Sequence, residues 1–242
     1  MNRFLRSTGI VLICFLCICC DCFADAVWIA QEHGQLAIVY SHGAESEAYE
    51  RQKIKKVWGY DASGKESAIK LDELPGHVII QPGNSIVIAI AFDNGYWSQK
   101  PDKTWVNLPR TNVEGALDSG HYLKTSVNIL AGHAHLGTPL GLSLEIIPVE
   151  DPYTLKAGDD LHLQVVRNGR PAAGLPVVRD YVNMVDEITG TTDSNGKITI
   201  KIRNEGLNVI AVTATVKTPG DPLAVKQETI SSLSFTLPHL PD

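Results

Sequence analysis

Val27-Trp28-Ile29-Ala30-Gln31, then Glu32-His33-Gly34-Gln35, then Leu36-Ala37-Ile38-Val39-Tyr40-Ser41 reads as two apolar β runs around a turn. Branched and aromatic side chains favour an extended, packed backbone. Gly34 readily takes positive φ and His33 does so less readily, so His33-Gly34 suits a two-residue hairpin loop. With that loop Glu32 pairs with Gln35. Trp28 then faces Val39, Ile29 faces Ile38 and Val27 faces Tyr40, all apolar matches. One step further brings Asp25 opposite His42. Directly opposite residues hold their Cβ atoms about 5 Å apart. His33, by contrast, stands roughly 27 Å from His42 along the strand at ~3.4 Å per residue, and is read as a turn residue.

The rest of the chain repeats this pattern of short β runs and turn residues. Lys55–Tyr60, His77–Gln81, Ser85–Phe92 and Tyr122–Leu130 are predicted strands. Ser46–Lys53 reads as a short helix, and 94–117 as a long loop carrying Tyr96, Trp97 and Trp105. From residue 140 the predicted strands are Leu142–Val149, Asp160–Arg167, Leu175–Tyr181, Glu187–Thr191, Lys197–Arg203, Asn208–Val216 and Lys226–Leu237. Their rhythm suits an immunoglobulin-like sandwich. The fold class expected is all-β, with two β-sandwich-like domains. The first covers 25–139. The second, immunoglobulin-like, covers 140–242. Asp193-Ser194-Asn195-Gly196 opens like a calcium loop, but no Glu stands at the twelfth position, so it reads as a hairpin turn.

Residues 1–24 read as a signal peptide. Arg3 and Arg6 give a positive start, Ile10 to Cys20 is an unbroken apolar run, and Cys22-Phe23-Ala24 suits cleavage before Asp25. The apolar run is shorter than the roughly 20 residues of a membrane-spanning helix; retention as an anchor is the alternative. The chain is expected to be periplasmic or otherwise extracytoplasmic, with no membrane span after cleavage. All 5 cysteines lie within this segment. The remaining chain therefore has neither disulfides nor thiolate ligands. The net charge is −6, and cleavage takes away Arg3, Arg6 and Asp21, which makes it one unit more negative. An acidic chain without basic runs is a poor partner for nucleic acid and a fair one for cations.

Sequence signs of catalysis are thin. The chain has no Gly-x-Ser-x-Gly, no His-Glu-x-x-His and no Gly-rich phosphate loop. Asp159 and Asp160 are adjacent on a predicted strand start and point to opposite faces. The reading is a binding protein, not an enzyme. His133-Ala134-His135 places two imidazoles on one face of an extended segment, suited to one divalent ion. His77, His162 and His239 stand without a partner pattern.

Two stretches resemble a known family. Val27-Trp28-Ile29-Ala30 with His33-Gly34-Gln35-Leu36-Ala37-Ile38-Val39-Tyr40-Ser41-His42-Gly43 resembles the opening of a bacterial periplasmic family of unknown function associated with nickel and cobalt uptake systems. Leu144-Glu145-Ile146-Ile147-Pro148, Gly169-Arg170-Pro171-Ala172-Ala173-Gly174-Leu175-Pro176-Val177 and Thr192-Asp193-Ser194-Asn195-Gly196-Lys197 resemble its sandwich half. The resemblance implies binding of nickel or cobalt as an accessory of metal uptake, with a membrane transporter as the implied partner. Such openings carry a His near the mature N-terminus, where this chain has Asp25. The expected metal ligands are Asp25 and His42, with His121, His133 and His135 completing the sphere; nitrogen and oxygen donors of this kind suit Ni²⁺ and Co²⁺. The alternative is an adhesin or carbohydrate-binding module using the aromatic segment Tyr96–Trp105. Intact mass measurement of the exported protein should give a chain starting at Asp25; a chain retaining residues 1–24 would contradict the cleavage reading.

Overall fold

The computed structural model describes residues 25–132 and 136–239. The expected signal peptide and the expected ligands His133 and His135 lie outside the described residues. The strands are β1 (Ala26–Glu32), β2 (Gln35–Ser41), β3 (Ile54–Tyr60), β4 (Glu66–Ser67), β5 (Lys70–Leu74), β6 (His77–Gln81), β7 (Val87–Gln99), β8 (Trp105–Val106) and β9 (Asp118–Ile129). They continue as β10 (Leu144–Pro148), β11 (Asp160–Arg167), β12 (Arg170–Pro171), β13 (Pro176–Val178), β14 (Gly190–Thr191), β15 (Lys197–Lys201), β16 (Gly206–Lys217) and β17 (Lys226–Leu237). The chain is all-β and sandwich-like. Among the described residues, no helix is long and apolar enough to cross a membrane.

The β1–β2 ladder has the register read from sequence, from Glu32↔Gln35 to Ala26↔Ser41. His33 (φ 50°) and Gly34 (φ 81°) supply the two positive φ values that such a loop needs. β1, β2, β6 and β5 form a four-stranded sheet. A nine-stranded sheet runs β14-β13-β16-β17-β9-β7-β3-β4, with β8 on β7. β10, β11, β12 and β15 make a second four-stranded sheet. In the large sheet β17 pairs in parallel with β9, from Lys226↔Gly120 to Phe235↔Ile129. Residues from both sides of position 140 thus share one ladder. The seven runs predicted after residue 140 all contain strands, divided between the large sheet and the β10–β11–β15 sheet.

The large sheet is covered on both faces. One face packs on β10, β11 and β15 through Val127, Ile129, Leu144, Leu161, Leu163, Val212 and Leu233. The other face receives β1, whose residues alternate between two cores. Val27 and Ile29 join Ile38, Ile88, Ile90 and Phe92. Ala26 and Trp28 join Val39, Val178, Tyr181, Val209 and Ile230. Between these cores β1 rests on a buried polar seam. Ile29 N donates to Asn128 Oδ1 at 2.8 Å, Ser126 and Ser234 donate to the same oxygen, and Asn128 Nδ2 donates to Ile88 O. Ser232 Oγ donates to Val27 O.

Two expectations are corrected. Ser46–Lys53 is not a helix: only Arg51–Lys53 makes a 3-10 turn. Glu47 N donates to Tyr40 O and Tyr49 N to Gly76 O, an every-other-residue pattern. Tyr49 is drawn into the core, where its hydroxyl donates to Ile38 O and accepts from Val78 N. That burial outweighs the weak helical propensity of the segment. Nor is 94–117 one long loop, because β7 runs on to Gln99 after a bulge between Asp93 and Tyr96. Gly95 (φ 82°) permits the bulge, which resets the pairing with β9.

Asn128→Leu should lower unfolding stability by about 2–4 kcal/mol, because it strands the Ile29 amide and two serine hydroxyls in a dry interior. Ser234→Ala should cost about 1 kcal/mol. Urea denaturation measures both; equal effects would contradict the central place of Asn128.

Candidate functional site

The β1–β2 ladder ends at Ala26↔Ser41, so the backbones of Asp25 and His42 emerge side by side. Their side chains turn to different cores. The Tyr40 hydroxyl donates to Asp25 Oδ2, on the side where Tyr40 stacks with Phe92 at 5.1 Å. Burial first, then Asp25, holds the Tyr40 phenol well above its usual pKa. The His42 ring meets Tyr181 edge-on at 6.2 Å, and its Nε2 lies 4.0 Å from Asp186 Oδ1. His42 Nδ1 is buried and has no hydrogen-bond partner. Glu47 sits between the two sides. Burial and Asp25 raise its pKa, while His42 and Lys53 lower it. The backbone bends at residues 42–45 after the strand ends, which lets His42 swing away from the face that it would keep in a continued strand.

The β7 bulge stands beside this end. Asn94 is buried and accepts from Lys53 Nζ at 2.7 Å. Asp93 Oδ1 lies 2.8 Å from His121 Nε2, and the imidazole stacks on Tyr96 at 4.3 Å and 15°. The hydrogen bond from His121 is the main reason that the Asp93 carboxyl is held below its usual pKa, with burial opposing. A carboxylate that accepts from one ring N–H fixes the tautomer and leaves the other nitrogen with a free lone pair, the usual support of a metal-bound imidazole. The aromatic segment is mostly committed to the fold. Trp97 Nε1 donates to Asn94 O at 3.1 Å and Tyr96 stacks on His121, whereas Trp105 is 40% exposed.

One residue here was not singled out in the sequence. Lys124, on β9, is completely buried, and its Nζ has no hydrogen-bond partner. The ammonium lies 5.8 Å from the Tyr122 ring centre. Burial lowers its pKa to about 8, against the favourable fields of Glu228 and Asp25. A lysine on a β run ordinarily points to water; the face of β9 that Lys124 shares with Ser126 and Asn128 was its one sequence signal.

Of the five expected ligands, Asp25, His42 and His121 fall at or near this end of β1 and β7, and His133 and His135 lie outside the described residues. Among the described residues, no three His, Cys, Asp or Glu side chains converge as a ready coordination shell. Asp186 and Glu47 are carboxylates that the sequence did not point to, and Asp93, read there only as a polar neighbour of the aromatic segment, stands instead against His121. Asp186 is far along the chain from His42, so no spacing rule could pair them, whereas Glu47 stands only five residues beyond His42 and is brought back by the bend at residues 42–45.

The model of a domain of unknown function, DUF4198, matches residues 24–216. The chain belongs to this family. Within DUF4198, the match begins at the hairpin and extends through β16, so it includes the Asp25–His42 end and the β7 bulge. An uncharacterized protein of Haemophilus influenzae is similar, at 28% identity over 155 residues, 64% of this chain and 66% of that protein. No solved structure matches.

Lys124 gives this end a pH signature. Its pKa is about 8 when folded and 10.5 ordinarily. Between these values the unfolded chain binds more protons, so stability rises with pH. The cost of burying the ammonium is complete below pH 8 and is relieved by pH 10.5. Relative to Lys124→Met, the wild type should gain about 3 kcal/mol across that window. Urea unfolding of both proteins across it measures the gain, and a constant difference between them would contradict it.

Proposed function

We propose that the exported chain binds a divalent transition-metal ion, nickel or cobalt, at the open end of the β1–β2 hairpin, as a periplasmic accessory of metal uptake. The observation that supports the reading is the ladder register, whose last pair, Ala26↔Ser41, directly precedes Asp25 on one strand and His42 on the other. Cleavage before Asp25 frees an α-amine there, next to an imidazole whose Nδ1 has no hydrogen-bond partner. Glu47 and Asp186 supply negative charge nearby. Amine, imidazole and carboxylate form a borderline donor set, suited to Ni²⁺ and Co²⁺ over Ca²⁺ or Mg²⁺. The metal is cargo in this reading, and a membrane metal transporter is the partner that receives it. Because the side chains of Asp25 and His42 turn apart, binding would draw His42 off Tyr181 toward the N-terminus, by a movement about the bend at residues 42–45.

A carbohydrate-binding surface is the second reading, favoured by exposed Trp105 with exposed Leu108 and Leu117 nearby. It predicts a tryptophan fluorescence change with glycans and none with Ni²⁺ or Co²⁺.

Calorimetric titration of the cleaved protein with Ni²⁺ and Co²⁺, with elemental analysis, should show one ion bound per chain. His42→Ala should weaken binding at least about tenfold, by analogy with the 10–100-fold cost of losing even an outer-shell group. Adding one residue before Asp25 should also weaken it, by moving the amine. Unchanged affinity in His42→Ala would refute the site.

A further inference from the structure

On the other face of the large sheet, β11 and β12 form a tight hairpin through Asn168 (φ 49°) and Gly169 (φ 72°). The turn is anchored to β10, since Asn168 N donates to Ser143 O at 2.9 Å. Arg167 and Arg170 are direct cross-strand partners across it. Like charges directly opposite on a strand pair repel, and neither guanidinium has an ion pair or hydrogen bond with a described side chain. The pair is therefore a local electrostatic defect on a chain of net charge −6.

Its position is also unusual. Along β11 the core-facing side carries Leu161, Leu163, Val165 and then Arg167. Along the return strand Arg170 is followed two residues later by buried Ala172. Both arginines therefore share the strand face of Val165 and Ala172, but both are exposed, just beyond the rim of the core. They line a cavity of about 590 Å³ with Asn168, Pro171, Ala172 and Leu175. That volume is within the range of small-molecule sites and larger than a lone oxyanion needs. Two guanidinium groups beside Pro171, Ala172 and Leu175, in a lining that also carries the Asn168 amide, match a carboxylate or phosphate group attached to a small organic body.

We propose that this cavity binds the oxyanion group, carboxylate or phosphate, of a small solute, gripped jointly by Arg167 and Arg170. The site is separate from the hairpin end and stands whether or not that end binds metal. The test is calorimetry on the metal-free full chain at fixed ionic strength, with succinate and inorganic phosphate as probes. At least one probe should bind saturably at one per chain. Arg167→Gln and Arg170→Gln should each weaken it at least about tenfold, the loss of a charge-assisted pair. Binding of succinate alone would identify a carboxylate, of phosphate alone a phosphate, and of both a general oxyanion site. Arg→Lys replacements keep the charge and remove the fork, so they should also bind more weakly than wild type, and they serve where the Gln variants unfold. The proposal fails if neither probe saturates by about 10 mM, weaker than ordinary millimolar affinity. It fails equally if Lys variants bind as tightly as wild type, or if the double Gln variant does.

Discussion

The structure depends on how β1 is seated. A strand that feeds two cores at once has no solvated face, and its free edge must still satisfy its amides and carbonyls. Here side chains do this instead of another strand. Asn128 accepts from the Ile29 amide and Ser232 donates to the Val27 carbonyl. Ser126 and Ser234 complete the oxygen's partners. The seam fixes β1 in translation as well as orientation, because a slip of one residue would exchange the sides of Val27 and Trp28 and break both bonds. Buried polar networks of this kind are costly when incomplete and selective when complete.

That seating determines the chemistry at the end of the strand. Once Ile29 lies on Asn128 and Val27 on Ser232, residue 25 falls near Lys124, with Tyr40 and the β7 bulge at its side. Tyr40, Asn94 and Lys53 form a hydrogen-bonded surround, and Glu47 feels both Asp25 and His42. A polar cluster with one buried ammonium that makes no hydrogen bond is an expensive arrangement for stability alone. Its concentration at the residue where cleavage is expected ties the export reading and the binding reading to the same few ångströms of the molecule. The DUF4198 match, residues 24–216, takes in this end of the hairpin.

Much of the fold was legible in the sequence, for a local reason. The β1–β2 register follows from two residues able to take positive φ and from alternation on either side, both properties of adjacent residues. The predicted runs after residue 140 contain strands for the same reason. Ser46–Lys53 misled because Glu, Ala, Gln and Lys favour helix weakly, while the deciding event, the burial of Tyr49 against Ile38 and Val78, involves partners far along the chain. The extension of β7 was hidden by a bulge, whose turn-like Asp93-Asn94-Gly95 resembles the end of a strand.

The sequence by itself determined the all-β character, the hairpin and its register down to Ala26↔Ser41, because these rest on backbone preferences and short-range alternation. Tertiary structure alone decided that β9 and β17 run parallel in one sheet, that Asp25 and His42 turn toward different cores, that Asp93 supports His121, and that Lys124 is sealed from water. Each of these depends on which distant strands pack together. That choice is made by the summed burial of three cores and one polar seam, and no local pattern of residues encodes it.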